Sequence, residues 1–483
     1  MTRQDHWIGG APREPQSGAR LTRFSPADGR ELASVANGDA ADVDAAVRAA
    51  RQAFDSGAWC NLSGMQRGAA LNRLADIMEA RFDEITRVEA EECGKPITAA
   101  RADIQYGLDV FRHAAALASN ISGRLMADSG PDGMGFVLHQ PRGVAGLIVP
   151  WNYPVVCLVH KLAYALAAGC SVVIKPSEFT PGSTLLIARY AQEAGLPDGQ
   201  VNVVIGEGLR VGEALTLHPL VDMISFTGST RVGAVIAENC AKTLKHYTLE
   251  LGGKSANIIF DDADLDAAVE GVYVGFTANA GQECCAGSRI LVQQSVAARF
   301  IDKLRQRCEA ARMGPLLDER TELGPVIHEH HLQVVTDYIA RGRAEGATLA
   351  AGGKRATAGA LSAGLYVEPT VFTNVTRDMS IYREEIFGPV ACVMTFDTFD
   401  DAIALANDTR YGLANGVWTS SIDRAMSALR QLKSGVVWVN TYLQLIPQMP
   451  FGGMKDSGIG RENGLEGLQD FLEVKSAFVK LRP

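Results

Sequence analysis

The sequence lacks several features that mark common classes of protein. It has no apolar run near the ~18 residues that a membrane-spanning helix requires, and its first ten residues lack the apolar core of a signal peptide. Its net charge of -9 lacks the basic excess that binds nucleic acid or an anionic membrane surface. Its nine cysteines lack C-x-x-C spacing, which disfavours a disulfide framework or a zinc site. We therefore expect a cytoplasmic protein with reduced thiols and no metal.

What is present is typical of a globular protein, with 47% hydrophobic and 21% charged residues. At 483 residues the chain is too long for one core, so we expect two or three domains. Apolar strands and helices alternate from Val144 onward, which indicates a parallel sheet covered on both faces. The predicted strands are 144–149, 171–174, 201–205 and 221–226, and the predicted helices are 155–168, 183–194 and 207–217. Ligands bind such sheets at the carboxyl ends of the strands, where Asn152, Lys175, Glu178 and Ser229 fall.

Two residues with complementary chemistry, Glu250 and Cys284, lie 34 positions apart. Glu250 precedes a pair of glycines, and Cys284 lies in a turn flanked by glycines at 281 and 287. A thiolate can attack an electrophilic carbon, and a carboxylate can activate water against the resulting ester. Taken alone the pairing is weak, because free cysteine is among the most buried residue types and usually packs in a core.

The Glu250–Cys284 pair and five further motifs resemble those of the aldehyde dehydrogenase superfamily, in its NAD(P)-dependent, hydrolytic, non-acylating type. The resemblance runs over nearly the whole chain and includes the separation between Glu250 and Cys284. The further motifs are PWNYP (150–154), KPSE (175–178), FTGS (226–229), EEIFGP (384–389) and PFGG (450–453). Six motifs with the right gaps leave little room for chance, so the sequence is identified as a member of that family.

The resemblance implies an α/β fold with a Rossmann-like NAD-binding domain, an α/β catalytic domain and a small β ribbon. The NAD-binding domain is predicted at residues 1–120 and 142–252, and the catalytic domain at 253–457. Segments 121–141 and 466–483 are predicted to build a homo-oligomer, either a dimer or a tetramer. A two-stranded ribbon is marginal in water by itself, so we expect it to find partner strands on another subunit.

The resemblance also implies the catalytic residues Cys284, Glu250, Asn152, Lys161 and Glu462. The Cys284 thiolate adds to the aldehyde carbon, and Asn152 and the backbone N–H of Cys284 stabilise the oxyanion. After hydride transfer, Glu250 activates the water that hydrolyses the thioester. Lys161 and Glu462 match positions that relay a proton in some relatives, although surface ion pairing is the alternative for both.

The expected cofactor is NAD, with NADP weaker. Glu178 would accept a hydrogen bond from a free ribose 2′-hydroxyl and would repel a 2′-phosphate. Residues 228–233 open a helix whose amide groups suit a pyrophosphate. The resemblance implies the following cofactor-binding residues: Pro150, Trp151, Lys175, Ser177, Glu178, Gly208, Phe226, Gly228, Ser229, Leu251, Glu385 and Phe387.

The substrate is expected to be a small aldehyde whose charge the pocket selects. The predicted pocket consists of Tyr106, Tyr153, Cys157, His160, Glu283, Cys285 and Leu445. Glu283, with Asp103 near the entrance, favours an aminoaldehyde or other cationic aldehyde. His160, if protonated, would instead favour an acidic semialdehyde such as succinic semialdehyde. A neutral aliphatic or aromatic aldehyde is the third alternative.

Three other functions are weighed against this interpretation. A CoA-acylating enzyme is disfavoured because such relatives typically lack the glutamate found at 250. A catalytically silent structural protein is disfavoured by the intact Cys284, Glu250 and Asn152. A cysteine hydrolase needs a histidine base, and nothing in the sequence supports a triad. Cys285 is expected to line the pocket rather than to attack. A metal site at His328, His330 and His331 is conceivable, but a solvated helix start is favoured.

Overall fold

A computed structural model describes residues 2–481, so residues 1, 482 and 483, at the outer ends of two predicted segments, lie outside it. Within this range the strands form four sheets. In chain order the strands are β1 (Thr2–Gln4), β2 (His6–Ile8), β3 (Ala11–Arg13), β4 (Arg20–Phe24), β5 (Glu31–Ala36), β6 (Arg124–Met126), β7 (Gly133–Pro141), β8 (Val144–Ile148), β9 (Ser171–Lys175), β10 (Val201–Val203), β11 (Met223–Thr227), β12 (His246–Glu250), β13 (Ala256–Ile259), β14 (Arg289–Gln293), β15 (Thr348–Ala351), β16 (Thr370–Thr373), β17 (Val390–Phe396), β18 (Ala414–Trp418), β19 (Val436–Val439), β20 (Gly458–Ile459) and β21 (Leu472–Lys480).

Helices connect most of these strands, as the alternating pattern predicts. In chain order the α-helices are α1 (Ala40–Asp55), α2 (Gly64–Ala80), α3 (Phe82–Cys93), α4 (Ile97–Ala118), α5 (Pro154–Ala168), α6 (Gly182–Glu193), α7 (Glu213–Leu217), α8 (Thr230–Ala241), α9 (Leu265–Thr277), α10 (Ala297–Glu309), α11 (Glu329–Ala344), α12 (Ser380–Arg383), α13 (Phe399–Asn407), α14 (Ile422–Gln431) and α15 (Gly464–Asp470). Across residues 2–481, none of the helices has the length and apolar character needed to cross a membrane.

The larger sheet has eight strands in the order β20-β12-β11-β8-β9-β10-β2-β3. Its five central strands, from β12 to β10, are parallel, which confirms the predicted α/β fold. Every residue of β8, β9 and β11 is buried because helices cover both faces, and this explains their continuous apolar sequences. The helix predicted at 207–217 differs, since it begins with a π-helical turn at Gly208–Gly212. Two glycines in one turn weaken an α-helix there.

The second sheet has seven strands in the order β15-β16-β17-β14-β13-β18-β19. All are parallel to their neighbours except β15. The predicted domain boundary at 252/253 falls between β12 and β13 and stays a prediction. After the second unit the chain returns to the first sheet, where β20 pairs antiparallel with β12. This return places Gly458 opposite Glu250, the last residue of β12.

The predicted ribbon forms a separate three-stranded sheet in the order β21-β7-β6. β21 pairs with β7 over nine positions, from Leu472↔Pro141 to Lys480↔Gly133. The same chain therefore supplies the third strand of this sheet, and pairing of the ribbon with strands of another subunit stays a prediction. A third strand provides the pairing that a two-stranded ribbon lacks.

Candidate active site

A cavity of about 540 Å³ collects residues from both α/β units. Loops that follow β8, β11 and β12 supply one side, and loops of the second unit supply the other. The predicted site residues that line it are Asn152, Glu250, Cys284, Glu462, Pro150, Trp151, Gly228, Ser229, Glu385, Phe387, Tyr106, Tyr153, Cys157, His160, Glu283, Cys285 and Leu445. All seven predicted substrate-pocket residues are in this set.

The other predicted site residues do not line the cavity: Lys161, Lys175, Ser177, Glu178, Gly208, Phe226 and Leu251. Phe226 and Leu251 are buried in an apolar cluster between the sheet and its helices, so their side chains act as core. The structure adds lining residues that sequence reasoning missed, including Thr227, Leu443 and Phe451. Thr227 and Phe451 lie within the recognised motifs FTGS and PFGG, which is the signal that could have found them.

The turn that carries Cys284 has an uncommon backbone. Its residues 279–281 have φ values of 49°, 57° and 71°, in the left-handed region that residues other than glycine rarely adopt. The fully buried side chain of Gln282 holds the turn in place. Its amide donates to the Asn279 carbonyl at 2.9 Å and accepts from the Ile327 N–H at 2.8 Å. These hydrogen bonds therefore fix the position of Cys284.

Asn152 lies at the end of the loop after β8 and is buried. Its side-chain amide donates to the Gln282 carbonyl at 2.9 Å, which occupies one of its two hydrogens. The Asn279 side chain in turn donates to the Asn152 carbonyl at 2.7 Å. These bonds tie Asn152 to the turn of Cys284, so the two residues keep a fixed relation.

The two adjacent cysteines have different surroundings. Cys284 is partly exposed, whereas Cys285 is buried. The Cys285 thiol donates to Oε1 of Glu283 at 3.3 Å, and the Cys285 carbonyl accepts from the Tyr442 hydroxyl at 2.8 Å. Contact with the Cys284 thiol, followed by burial, raises the pKa of Cys285 well above its usual value. The geometry therefore favours Cys284 as the nucleophile.

Glu250 ends β12 and is buried at the cavity wall. Within residues 2–481 neither of its carboxylate oxygens has a hydrogen-bond partner. Burial, and then the negative charge of Glu462, raise the pKa of Glu250 well above its usual value. A Cβ at residue 452 would lie 2.6 Å from Oε1 of Glu250, so Gly452 keeps the space beside that oxygen open. Such a carboxylate suits a general base for water.

Lys161 and Glu462 form a buried ion pair, not a surface one, with exposures of 0% and 4%. The Lys161 ammonium donates to Oε1 of Glu462 and to Oγ1 of Thr227, the latter at 2.5 Å. Burial alone would raise the pKa of Glu462, but Lys161 and His160 outweigh it and hold that pKa below its usual value. Glu462 is therefore a carboxylate, and it lines the same cavity as Glu250.

His160 connects Glu462 to Tyr106 and Asn463. Nδ1 of His160 lies 3.3 Å from Oε2 of Glu462, and Nε2 lies 3.0 Å from the Tyr106 hydroxyl. The Asn463 amide donates to the Tyr106 oxygen at 2.6 Å and lies 3.1 Å from Nε2 of His160. Both ring nitrogens are thus engaged by the protein, which leaves neither to bind a substrate carboxylate.

Glu283 lies at the substrate end of the cavity. It accepts from the Tyr153 hydroxyl at 3.0 Å and from the Cys285 thiol, and burial raises its pKa to about 7. The Lys95 ammonium lies 3.8 Å from the centroid of the Tyr153 ring and pairs with Asp103. Asp103 lines the same cavity, but its carboxylate is paired with the buried ammonium of Lys95, so it offers a substrate less negative charge than Glu283 does.

The predicted adenosine side of the cofactor site lies at the carboxyl ends of β9 and β11. Nζ of buried Lys175 lies 3.3 Å from Oε2 of Glu178, whose side chain is 22% exposed. Ser229 caps α8 by accepting from the Val232 N–H at 3.4 Å. The start of α8, with Gly228, opens onto the cavity, which fits the predicted pyrophosphate position.

The residues predicted to hold the nicotinamide end of the cofactor line the same cavity as Cys284. Glu385 accepts from the Gly253 N–H at 3.0 Å, and burial raises the pKa of Glu385 to about 7. The rings of Trp151 and Phe387 lie edge to face, with centroids 5.4 Å apart. A dinucleotide bound along these residues would reach the same cavity as the thiol, so the donor set fits the expected cofactor.

The three clustered histidines lie behind the Trp151 and Phe387 rings. His328 caps α11 by accepting from the His331 N–H at 3.0 Å, and His331 donates to the Phe387 carbonyl at 2.7 Å. Burial lowers the pKa of His328 to about 4. In residues 2–481 no three side chains converge as metal ligands. The cluster therefore caps α11 and holds the backbone of Phe387.

Comparison with known proteins places this site in a family. Residues 13–477 match the aldehyde dehydrogenase family model. Aldehyde dehydrogenase 1 of Tanacetum cinerariifolium is 44% identical over 462 residues, 95% of this chain and 92% of that protein. The structure of an NAD-dependent aldehyde dehydrogenase from Sinorhizobium meliloti has a TM-score of 0.97 at 42% identity, covering 100% of this chain and 96% of that one. Betaine aldehyde dehydrogenase from Staphylococcus aureus, in complex with NAD+, has a TM-score of 0.98 at 40% identity, covering 99% and 95%.

These matches span both large sheets, the ribbon and every motif on which the resemblance was based. They confirm the predicted family and the predicted combination of two α/β units. They also exclude a cysteine hydrolase of unrelated fold. The chain belongs to the aldehyde dehydrogenase family.

Proposed function

We propose that this chain oxidises an aldehyde to its carboxylic acid with NAD, through a thiohemiacetal and then a thioester on Cys284. The observation that carries the proposal is the convergence of Cys284, Glu250 and Asn152 on one cavity, which Trp151 and Phe387 also line. The NAD+ complex of the related Staphylococcus aureus enzyme supports the choice of cofactor.

The residues divide the reaction into two steps. Sγ of Cys284 adds to the aldehyde carbon, and the oxygen takes the negative charge. The free amide hydrogen of Asn152 and the N–H of Cys284 donate to that oxygen. A bound NAD+ would supply the hydride acceptor, and loss of the hydride from the carbon bonded to Sγ of Cys284 would convert the thiohemiacetal into a thioester. Glu250 then takes a proton from water, the hydroxide attacks the acyl carbon, and the C–S bond breaks to restore Cys284.

The assignment of the nucleophile is tested by replacing each cysteine separately. Cys284→Ala should lower aldehyde oxidation by more than about a thousandfold, since covalent catalysis is lost. Cys285→Ala should retain most of the activity, because its thiol is buried against Glu283. NADH absorbance with butanal measures both. Comparable activity in Cys284→Ala and the unmodified enzyme would contradict the proposed role.

The substrate is an aminoaldehyde or another cationic aldehyde. Support comes from Glu283, a buried carboxyl at the substrate end whose partners are the uncharged Tyr153 and Cys285. An ammonium ~6 Å away would gain roughly 3 kcal/mol at an effective dielectric of about 20, and desolvation reduces this to about 1 kcal/mol. Betaine aldehyde, the substrate named for the Staphylococcus aureus relative, is itself cationic.

The charge preference is tested with 4-aminobutanal, butanal and succinic semialdehyde. The ratio of kcat/KM for 4-aminobutanal over butanal should be about fivefold in the unmodified enzyme and near one in Glu283→Gln. The ratio should rise from pH 6 to pH 8, because the pKa of Glu283 is about 7 and only the carboxylate attracts an ammonium. Glu309→Gln, at an exposed position that ends α10, is the matched control. A ratio near one in the unmodified enzyme would favour a neutral substrate, and preference for succinic semialdehyde would favour an acidic one.

The ribbon supports assembly into a homo-oligomer. Several apolar side chains of its three strands are exposed: Leu125, Met126, Met134, Leu138, Val474, Phe478 and Val479. Contiguous exposed apolar surface is typical of an interface. Equilibrium sedimentation distinguishes dimer or tetramer from monomer.

A cytoplasmic location is supported by the nine cysteines, which are all free in this structure. Cell fractionation tests this location.

A further inference from the structure

Three distant parts of the chain meet at the wall of the catalytic cavity and form a series of hydrogen bonds. Tyr106 comes from α4, His160 from α5, and Glu462 with Asn463 from the segment after β20. His160, Glu462 and Asn463 are 4% exposed or less. Asn463 has a φ of 60°, a left-handed conformation that asparagine tolerates better than most residues. The backbone thus adopts a strained form that directs the Asn463 amide towards Tyr106.

The hydrogen bonds of this series have one direction. The Asn463 amide donates to the Tyr106 oxygen, so the Tyr106 hydroxyl is free to donate to Nε2 of His160. The Asn463 amide also approaches Nε2, so two donors converge on that nitrogen. Nε2 is therefore the acceptor, and Nδ1 carries the ring proton that it donates to Glu462. The donors thus run from Asn463 through Tyr106 to His160, and only the last of them, Nδ1 of His160, reaches the Glu462 carboxylate.

We propose that Asn463, Tyr106 and His160 form a directed hydrogen-bond chain that holds Glu462 as a carboxylate beside Glu250, which makes His160 a positioning residue for the water step. The inference rests on the proposed role of Glu250 but not on the charge of the aldehyde. Glu250 itself has no hydrogen-bond partner within residues 2–481. Its basicity is therefore set by burial and by nearby charges, of which Glu462 has the largest effect.

Breaking this hydrogen-bond chain should shift the pKa values of Glu462 and Glu250 in predictable directions. Without the Nδ1 donor the pKa of Glu462 rises, and Glu462 is protonated over more of the pH range. Its charge then raises the pKa of Glu250 less, so the acidic limb of the hydrolysis rate moves to lower pH. The other ionisable groups near this pair are Tyr106, Cys157, Lys161, Cys284 and Arg461.

The test compares His160→Leu, which removes the donor, with His160→Asn, whose amide can replace the Nδ1 donor. Stopped-flow measurements with butanal give the NADH burst and the steady rate from pH 5.5 to pH 9. In His160→Leu we expect a full burst, a steady rate lowered about threefold, and an acidic limb moved down by about half a pH unit. His160→Asn should keep the limb of the unmodified enzyme. His218→Gln, whose ring contacts Asp44 far from the cavity, is the control.

Tyr106→Phe provides a second variant if His160→Leu does not fold. It removes the donor to Nε2 and should move the limb in the same direction by a smaller amount. An unmoved limb in folded His160→Leu or in Tyr106→Phe would overturn the proposal, and so would equal shifts in His160→Leu and His160→Asn. Absence of an NADH burst in the unmodified enzyme would instead contradict the roles proposed for Cys284 and NAD.

Discussion

The surroundings of Glu250 and of Glu462 are alike in burial and opposite in effect. Both carboxylates are 4% exposed and line one cavity. Glu462 has Lys161 and His160 as partners, and its pKa lies below the usual value. Among the described residues, 2–481, Glu250 has no hydrogen-bond partner, and its pKa is raised. Burial alone therefore does not decide the charge of a carboxyl group. The partners decide it, and under the proposed mechanism the contrast provides one fixed charge, at Glu462, and one base, at Glu250.

The largest expected effect comes from removing the base. Glu250→Gln should reduce the steady rate by about a thousandfold, in line with the loss of a general base. The NADH burst should remain, because hydride transfer precedes the water step. Rapid mixing with butanal and mass spectrometry of the intact protein should detect a burst and an accumulated acyl-enzyme. If neither is found, Glu250 acts before hydride transfer and the comparison with Glu462 loses its functional meaning.

An intermediate effect is expected at Glu178, a carboxylate that is also paired with a lysine but is partly exposed. We expect a preference for NAD over NADP of about a hundredfold, since a 2′-phosphate loses a hydrogen bond and meets a like charge. Glu178→Ser should reduce this preference for NAD. The preference is measured as the ratio of kcat/KM with NAD to kcat/KM with NADP. Equal values in the unmodified enzyme would show that this exposed carboxylate does not select the cofactor.

Glu462→Gln is expected to have a smaller kinetic effect than the changes at Glu250 and Glu178. Loss of the Glu462 charge, together with unpaired Lys161, lowers the pKa of Glu250 and moves the acidic limb of the steady rate to lower pH. The rate on the plateau should fall about tenfold, since a weaker base remains. A limb that stays in place would show that Glu462 does not act on Glu250.

The same variant has a measurable effect on stability. Breaking the buried pair should cost about 3 kcal/mol in the free energy of unfolding, measured by urea titration at pH 7. In the unmodified enzyme the folded-state pKa of Glu462 is depressed. Its contribution is therefore present above the unfolded pKa near 4.3 and is lost as the pH falls through the folded value. The difference between the two proteins should accordingly shrink in acid.

Much of the fold and the centre of the site could be predicted from the sequence. Alternating apolar strands indicated the parallel sheets, and short motifs with fixed gaps identified Cys284, Glu250 and Asn152. The neutralisation of Asp103 by Lys95 and the bond between His160 and Glu462 could not be predicted. His160 and Glu462 lie 302 positions apart, and such contacts depend on how helices pack rather than on any local pattern. The sequence therefore indicated which ionisable residues belong to the site, but not which residue each of them contacts.

The return of the chain to the first sheet through β20 has a consequence for biosynthesis. Glu462 follows Cys284 by 178 positions (462 − 284). At ~5–20 residues per second, a ribosome needs about 9 to 36 s to cover that distance. During this interval the nascent chain carries its thiol while Lys161 still lacks its carboxylate partner. The residues that the proposed mechanism assigns to hydrolysis are therefore brought together only after translation has passed residue 463.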